Sequence, residues 1–181
     1  MTSKPKTFTF KIVIIGDYAV GKTSLLRNFT EHYFSFDYKP SIGANITVKE
    51  FKLPENKGVV YANFWDIAGQ ELFSNLRNQF YEGTDACAIV YDCTRKETFA
   101  NVKIWHRNVT IFEKRLKPDN IVLLANKVDL KDQRVVSSED SLNLAKELGV
   151  QHYETSALTS QNVSTAFNYL ISNLMQERGN I

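Results

Sequence analysis

The chain has 181 residues, a length that suits one domain with a sizeable core. Hydrophobic residues make up 43 % and charged residues 23 %, a balance typical of a soluble globular protein. The net charge of +2 is too small to mark nucleic acid or an anionic membrane surface as the main partner. No apolar stretch is long enough to span a bilayer, and no signal peptide opens the chain. Cys87 and Cys93 read as free thiols of a reducing compartment rather than a disulfide or metal pair. A cytoplasmic protein is expected.

In chain order, the first apolar run is Ile12 to Ile15, which suits a strand buried on both faces. Gly16 to Thr23 follows it, and then a helix carrying Leu25, Leu26 and Phe29. Ile46 to Leu53 reads as a strand. Val60, Ala62 and Phe64 alternate with Val59, Tyr61, Asn63 and Trp65 in the next one, with Pro54 to Gly58 as the turn between them. Ala86 to Tyr91 is a second continuous apolar run. Phe99, Val102, Trp105, Val109 and Phe112 recur at helical spacing, and Pro118 stops that helix. Ile121 to Ala125 is a third apolar run, and Ser137 to Asp140 resembles a capping box that opens another helix. Val163, Ala166, Phe167, Leu170, Ile171, Leu174 and Met175 give the last helix its buried stripe. Strands alternating with helices predict an α/β domain with a mainly parallel sheet. Ligands of such sheets bind beyond the carboxyl ends of the strands.

Gly16-Asp17-Tyr18-Ala19-Val20-Gly21-Lys22-Thr23 fits the phosphate-loop pattern G-x-x-x-x-G-K-[ST] between a strand and a helix. Glycines let the backbone curl so that several N–H groups point at one anion. The helix N-terminus adds a favourable dipole. Lys22 can reach the terminal phosphates, and Thr23 offers a hydroxyl to magnesium. A glycine turn with an incidental lysine is the plain alternative, and the strand–loop–helix setting argues against it.

Asn126-Lys127-Val128-Asp129 follows the strand Ile121 to Ala125. A carboxylate such as Asp129 can accept from N1–H and the 2-amino group of guanine, and adenine offers no such pair. The stem of Lys127 can pack over the flat base. Thr155-Ser156-Ala157 follows a further short strand, where a backbone N–H could meet the guanine O6. Each motif alone is weak, and their order, each after a strand, carries the reading.

The chain resembles the Ras-superfamily small GTPases over nearly its whole length. Asp66-Ile67-Ala68-Gly69-Gln70-Glu71 resembles the family's D-x-A-G-Q-E segment, and Phe34 to Ser41 resembles switch I. The Rab subfamily is the most similar, through Ser41-Ile42-Gly43, Trp65 before Asp66, Phe80-Tyr81-Glu82-Gly83 and Val90-Tyr91-Asp92-Cys93-Thr94. Glu97 to Val102 followed by Trp105 is similar too. The resemblance implies a six-stranded, mainly parallel sheet with helices on both faces, the G-domain form of the P-loop NTPases. It implies one domain over 1–181, with tails at about 1–7 and 177–181.

The resemblance also implies roles. The nucleotide would meet Asp17, Tyr18, Ala19, Val20, Gly21, Lys22, Thr23 and Ser24 of the phosphate loop. Phe34, Tyr38, Pro40, Ser41 and Gly69 would meet it from the switches, and Asn126, Lys127, Asp129, Ser156, Ala157 and Leu158 from the base side. Thr23 and Ser41 would bind Mg2+ directly, with Asp66 acting through water. Gln70 would orient the attacking water, with Lys22 beside the phosphates. GTP would be substrate and GDP product. Partners that exchange, activate or read the nucleotide state would meet the switches and a surface of Ile46, Trp65 and Phe80. Such a protein is cytoplasmic, and peripheral on the cytosolic face of a membrane only where a lipidated tail lies beyond Ile181.

The sequence departs from that pattern in places. Tyr18 stands where Ras has glycine and Rabs have a small or polar residue, and Ala19 where most relatives have glycine. Ser41 replaces the usual threonine, and Gln176 to Ile181 carries no cysteine for a lipid. Tyr18 either weakens hydrolysis by crowding or points to solvent. A GTP-binding interaction module with little hydrolysis is therefore a second reading, and an ATP-dependent kinase a third that leaves Asn126 to Asp129 unexplained. His32, His106 and His152 form no metal spacing. Trp105 reads as packing, and Lys114, Arg115 and Lys117 as a solvated helix end.

Overall fold

A computed structural model describes residues 6–31, 43–53, 58–69 and 79–179. The strands are β1 (Lys6–Ile15), β2 (Ala44–Lys52), β3 (Gly58–Ile67), β4 (Ala86–Asp92), β5 (Ile121–Asn126) and β6 (Gln151–Glu154). The helices are α1 (Lys22–Glu31), α2 (Lys96–Ala100), α3 (Val102–Phe112), α4 (Ser138–Leu148) and α5 (Val163–Glu177). The strands form one sheet in the order β2-β3-β1-β4-β5-β6, with β2 antiparallel to β3 and all other pairs parallel. The expected six-stranded, mainly parallel sheet is present.

Side-chain alternation divides the core between the two faces of the sheet. Phe10, Ile12 and Ile14 of β1 pack with α1 and α5 residues such as Leu25, Phe29, Phe167 and Leu170. Val13 and Ile15 face the other way, against Val102, Trp105 and Val109 of α3 and Leu144 of α4. β4 and β5 are buried along their whole length, which is why they read as unbroken apolar runs.

Several expectations need correction. β1 begins at Lys6, because Lys6 to Phe10 pair with Gly58 to Ala62 beyond the apolar run. Lys6 and Thr7 are strand, not tail, and Glu177 still belongs to α5, where it pairs with Lys117 at 3.0 Å. The helix over Phe99 to Phe112 is split at Asn101 into α2 and α3. Phe112 lies on the exposed side rather than in the core stripe. Residues 54–57 of the turn between β2 and β3 lie outside the described residues.

Other expectations hold. The Ser137 hydroxyl accepts from Asp140 N at 3.0 Å to cap α4, and Gly149 ends the helix at φ 70°. The stripe from Val163 to Met175 is buried throughout. Both cysteines are free and buried.

Candidate nucleotide site

In this strand order β1 lies between β3 and β4, with later strands added on both of its sides, and a crevice opens at its carboxyl end. The phosphate loop fills that point. Gly16 has φ 140°, and a Cβ there would lie 2.0 Å from the Val90 carbonyl oxygen of β4. Only glycine lets the loop leave β1 so close to its neighbour. Gly21 has φ 99°, and a Cβ would meet Asn126 Nδ2 at 2.3 Å. Ala19, between them, adopts φ 59°, a left-handed conformation disfavoured for a residue with a Cβ.

Lys22 is buried at the start of α1, and its ammonium donates to Gly16 O at 2.9 Å and Asp17 O at 2.7 Å. It therefore lies against the loop backbone it would serve. Thr23, the next residue, donates its hydroxyl to the carboxylate of Asp66, a fully buried residue in β3. A hydroxyl and a carboxylate oxygen side by side are the hard donors that Mg2+ accepts, with phosphate and water oxygens for the remainder. The residues present fit that ion. Gly69, just past β3, packs on the phosphate loop, and a Cβ on it would lie 2.4 Å from the Asp17 carbonyl carbon.

The base-side loops meet the phosphate loop through Asn126. This buried side chain donates to Val20 O at 2.8 Å and accepts from Ala157 N at 3.3 Å. One amide thus joins the loops after β1, β5 and β6. Ser156 donates to Asp129 Oδ1 at 2.5 Å and accepts from Thr159 N at 3.0 Å, which aligns the carboxylate expected to read the base. Thr155, Ser156 and Ala157 are buried, whereas Leu158 is exposed. Asn28 of α1 donates to Ala157 O at 3.0 Å and Ser160 Oγ at 2.8 Å, tying the helix to the same loop.

Lys127 adopts φ 68° and sends its ammonium to Asp92 at 2.6 Å. Burial opposes ionisation of Asp92. Hydrogen bonds from Lys127 and Thr94 outweigh it and hold the carboxyl below its ordinary range. The head of Lys127 is therefore anchored.

The structure thus brings Asp17 to Ser24, Asp66, Gly69, Asn126, Lys127, Asp129 and Ser156 to Leu158 to one rim of the sheet. Phe34, Tyr38, Pro40, Ser41 and Gln70 lie outside the described residues, as does His32. Tyr18 is exposed, and its carbonyl accepts from Arg95 at 2.7 Å. Trp105, read as packing, is buried but also donates its indole N–H to Asp17 Oδ1 at 2.6 Å. Asn28, Asp92, Arg95 and Asn101 were missed as site residues. Asp92 carries a signal as a charge ending an otherwise apolar strand, and Asn101 lies in the Rab-like segment Glu97 to Val102; Asn28 and Arg95 carry none. His106 and His152 are half-buried, and burial lowers the pKa of each.

Away from the rim, Ile46 stands opposite Trp65 in the β2–β3 register. Phe80 lies 6.2 Å from Trp65, and the Lys11 ammonium sits 4.3 Å over the indole. The residues expected to form a partner surface are adjacent, with Ile46 exposed.

The family model described as "Ras family" matches residues 11–176. The chain belongs to the Ras family. It is 38 % identical to Ras-related protein Rab-7a of Dictyostelium discoideum, over 97 % of this chain and 87 % of that protein. It is 36 % identical to the Ypt/Rab-type GTPase YPT7 of Saccharomyces cerevisiae, over 98 % and 86 %. It is 37 % identical to Ras-related protein RABA4b of Arabidopsis thaliana, over 92 % and 73 %. Within the Ras superfamily it is Rab-like. Among the described residues no helix is long and apolar enough to cross a membrane.

Proposed function

We propose that this Rab-like protein is a guanine-nucleotide switch that binds GTP and GDP with magnesium, hydrolyses GTP, and regulates membrane traffic through partners at its switch regions. The observation that carries the reading is Asn126, which locks a phosphate loop to two base-side loops at one rim. A phosphate loop alone would serve ATP equally well. Asp129, aligned by Ser156, supports guanine.

In this reading water attacks the γ-phosphorus, the bond to the β-phosphate oxygen breaks, and GDP and phosphate leave. Lys22 neutralises charge on the terminal phosphates, and its position against the loop carbonyls supports that role. Thr23 and Ser41 would hold magnesium, with Asp66 behind it. The ion would offset charge that builds on the phosphate oxygens. Gly69 would donate its N–H to the γ-phosphate, and its packing on the phosphate loop supports this. Gln70 would orient the water. Phe34, Tyr38 and Pro40 would cover the nucleotide. Loss of the γ-phosphate would release Ser41 and Gly69, and partners preferring one arrangement would read the change. Ile46, Trp65 and Phe80 would form part of that partner surface.

A second reading keeps GTP binding but little hydrolysis. The strained Ala19 beside Tyr18 favours it. Single-turnover GTP hydrolysis with magnesium separates the two. The switch reading expects wild-type turnover, slowed about tenfold or more in Gln70→Leu through lost positioning of the water. GTP that stays bound and intact in both would overturn hydrolysis and leave the binding module.

A further inference from the structure

Asp17 puts a carboxylate on the loop that, under the function proposed above, surrounds the phosphates. A free carboxylate there would repel the ligand. The structure shows where that charge goes. Asn101 Nδ2 donates to Asp17 Oδ2 at 2.7 Å, and Trp105 Nε1 donates to Oδ1 at 2.6 Å. Both carboxylate oxygens are engaged from the α3 side. The Asp17 carbonyl oxygen accepts from the phosphate-loop lysine, Lys22, at 2.7 Å. The residue therefore turns its main chain to the lysine and its charge to α3. Arg95, on the loop before α2, fixes the following peptide through Tyr18 O.

A buried indole N–H must find an acceptor, and a charged one gives a strong bond. Packing alone would be served by any large apolar side chain at position 105. It does not explain a donor there, or a second donor one helical turn earlier aimed at the same carboxylate.

We propose that Asp17 is a positioning residue, and that Trp105 and Asn101 set how tightly the phosphate loop holds nucleotide by keeping the Asp17 carboxylate turned away from the phosphates. The inference rests on the proposed nucleotide binding. Helix α3 then controls nucleotide release from outside the binding loops. Loss of either donor frees the charge, and removal of the charge makes the donors unnecessary.

The test loads the full chain with a fluorescent GDP analogue and follows its release into excess GDP. Trp105→Phe and Asn101→Ala are each run alone and with Asp17→Asn, and the thermal midpoint of every variant is recorded. Each single variant should release the nucleotide about tenfold faster, the worth of a hydrogen bond to a charged group. Adding Asp17→Asn should abolish the effect: each double should release within about threefold of Asp17→Asn alone, run beside it, by the same arithmetic. Each single variant should melt below wild type through its lost hydrogen bond, and its double should melt no higher than the single. A merely structural role predicts the opposite, with doubles that still release about tenfold faster than Asp17→Asn alone. That result, or wild-type release in both singles, overturns the inference. If Trp105→Phe does not fold, the Asn101→Ala pair decides alone. A wild type that holds no guanine nucleotide overturns the functional reading and this inference together. One that holds it while the doubles still outpace Asp17→Asn overturns the inference alone.

Discussion

The phosphate loop and the base-side loops lie at one rim of one sheet, yet different means shape them. Gly16, Ala19 and Gly21 shape the first through unusual backbone angles. In the second, where Lys127 is also left-handed, side chains that hold one another add the shape: Asn126 on Val20 and Ala157, Ser156 on Asp129, Lys127 on Asp92. A loop that must wrap an anion needs close backbone approach, and only glycine permits it. A loop that must read the edge of a base needs fixed side chains, and buried hydrogen bonds fix them.

The contrast breaks first at Gly16. Gly16→Ala drives a Cβ into the Val90 carbonyl, which belongs to a fully buried strand and cannot yield. The expected loss is about 4 kcal/mol or more, enough to remove the folded protein in urea unfolding. A stable Gly16→Ala that retains nucleotide would show that the backbone does not limit this loop.

The side-chain half is tested at Lys127. Lys127→Met removes the nearer of the two cations on the buried Asp92 carboxylate and leaves Arg95 at 3.3 Å. About 2 kcal/mol of stability should go, at the low end for such pairs because Lys127 is a third exposed. The pH dependence sharpens the test. Asp92 has a depressed pKa in the folded state, so its contribution is present above the ordinary carboxylate range. It is lost as pH falls through the folded value. Lys127→Met removes the hydrogen bond and charge of Lys127 that help depress that pKa, so it rises and acid unfolding followed by circular dichroism should begin at higher pH. An unchanged acid limb would remove the ion pair from the account.

The smallest effect is expected at Ala19. Ala19→Gly relieves a left-handed alanine but adds freedom to the unfolded chain. The net gain should be roughly 0.5 kcal/mol in the unfolding midpoint. A loss there would mean that the Ala19 methyl packs usefully despite its backbone angle.

Much of this was legible in the chain itself. Periodicity announced strands and helices because burial acts residue by residue along each element. The phosphate-loop motif is local, since its glycines and lysine lie within one turn between a strand and a helix. The Asn126 and Thr155 segments could be placed because each follows a strand. Periodicity was less reliable where side-chain chemistry competes with it. The helix reading ran through Asn101, where the helix is split and the side chain turns to Asp17, and it put the exposed Phe112 in the core.

By itself the sequence determined the alternation of elements, the order of the motifs and membership in the Ras family, because these depend on neighbours in the chain. Only the tertiary structure decided what holds the motifs in register. Asn126 reaches Val20 across 106 positions, and Trp105 and Asn101 reach Asp17 across 88 and 84. Such contacts have no local signature: a buried asparagine or tryptophan reads the same in sequence whatever it touches. The strand order that sets β1 between β3 and β4 brings them together, and it arises from packing two apolar faces at once.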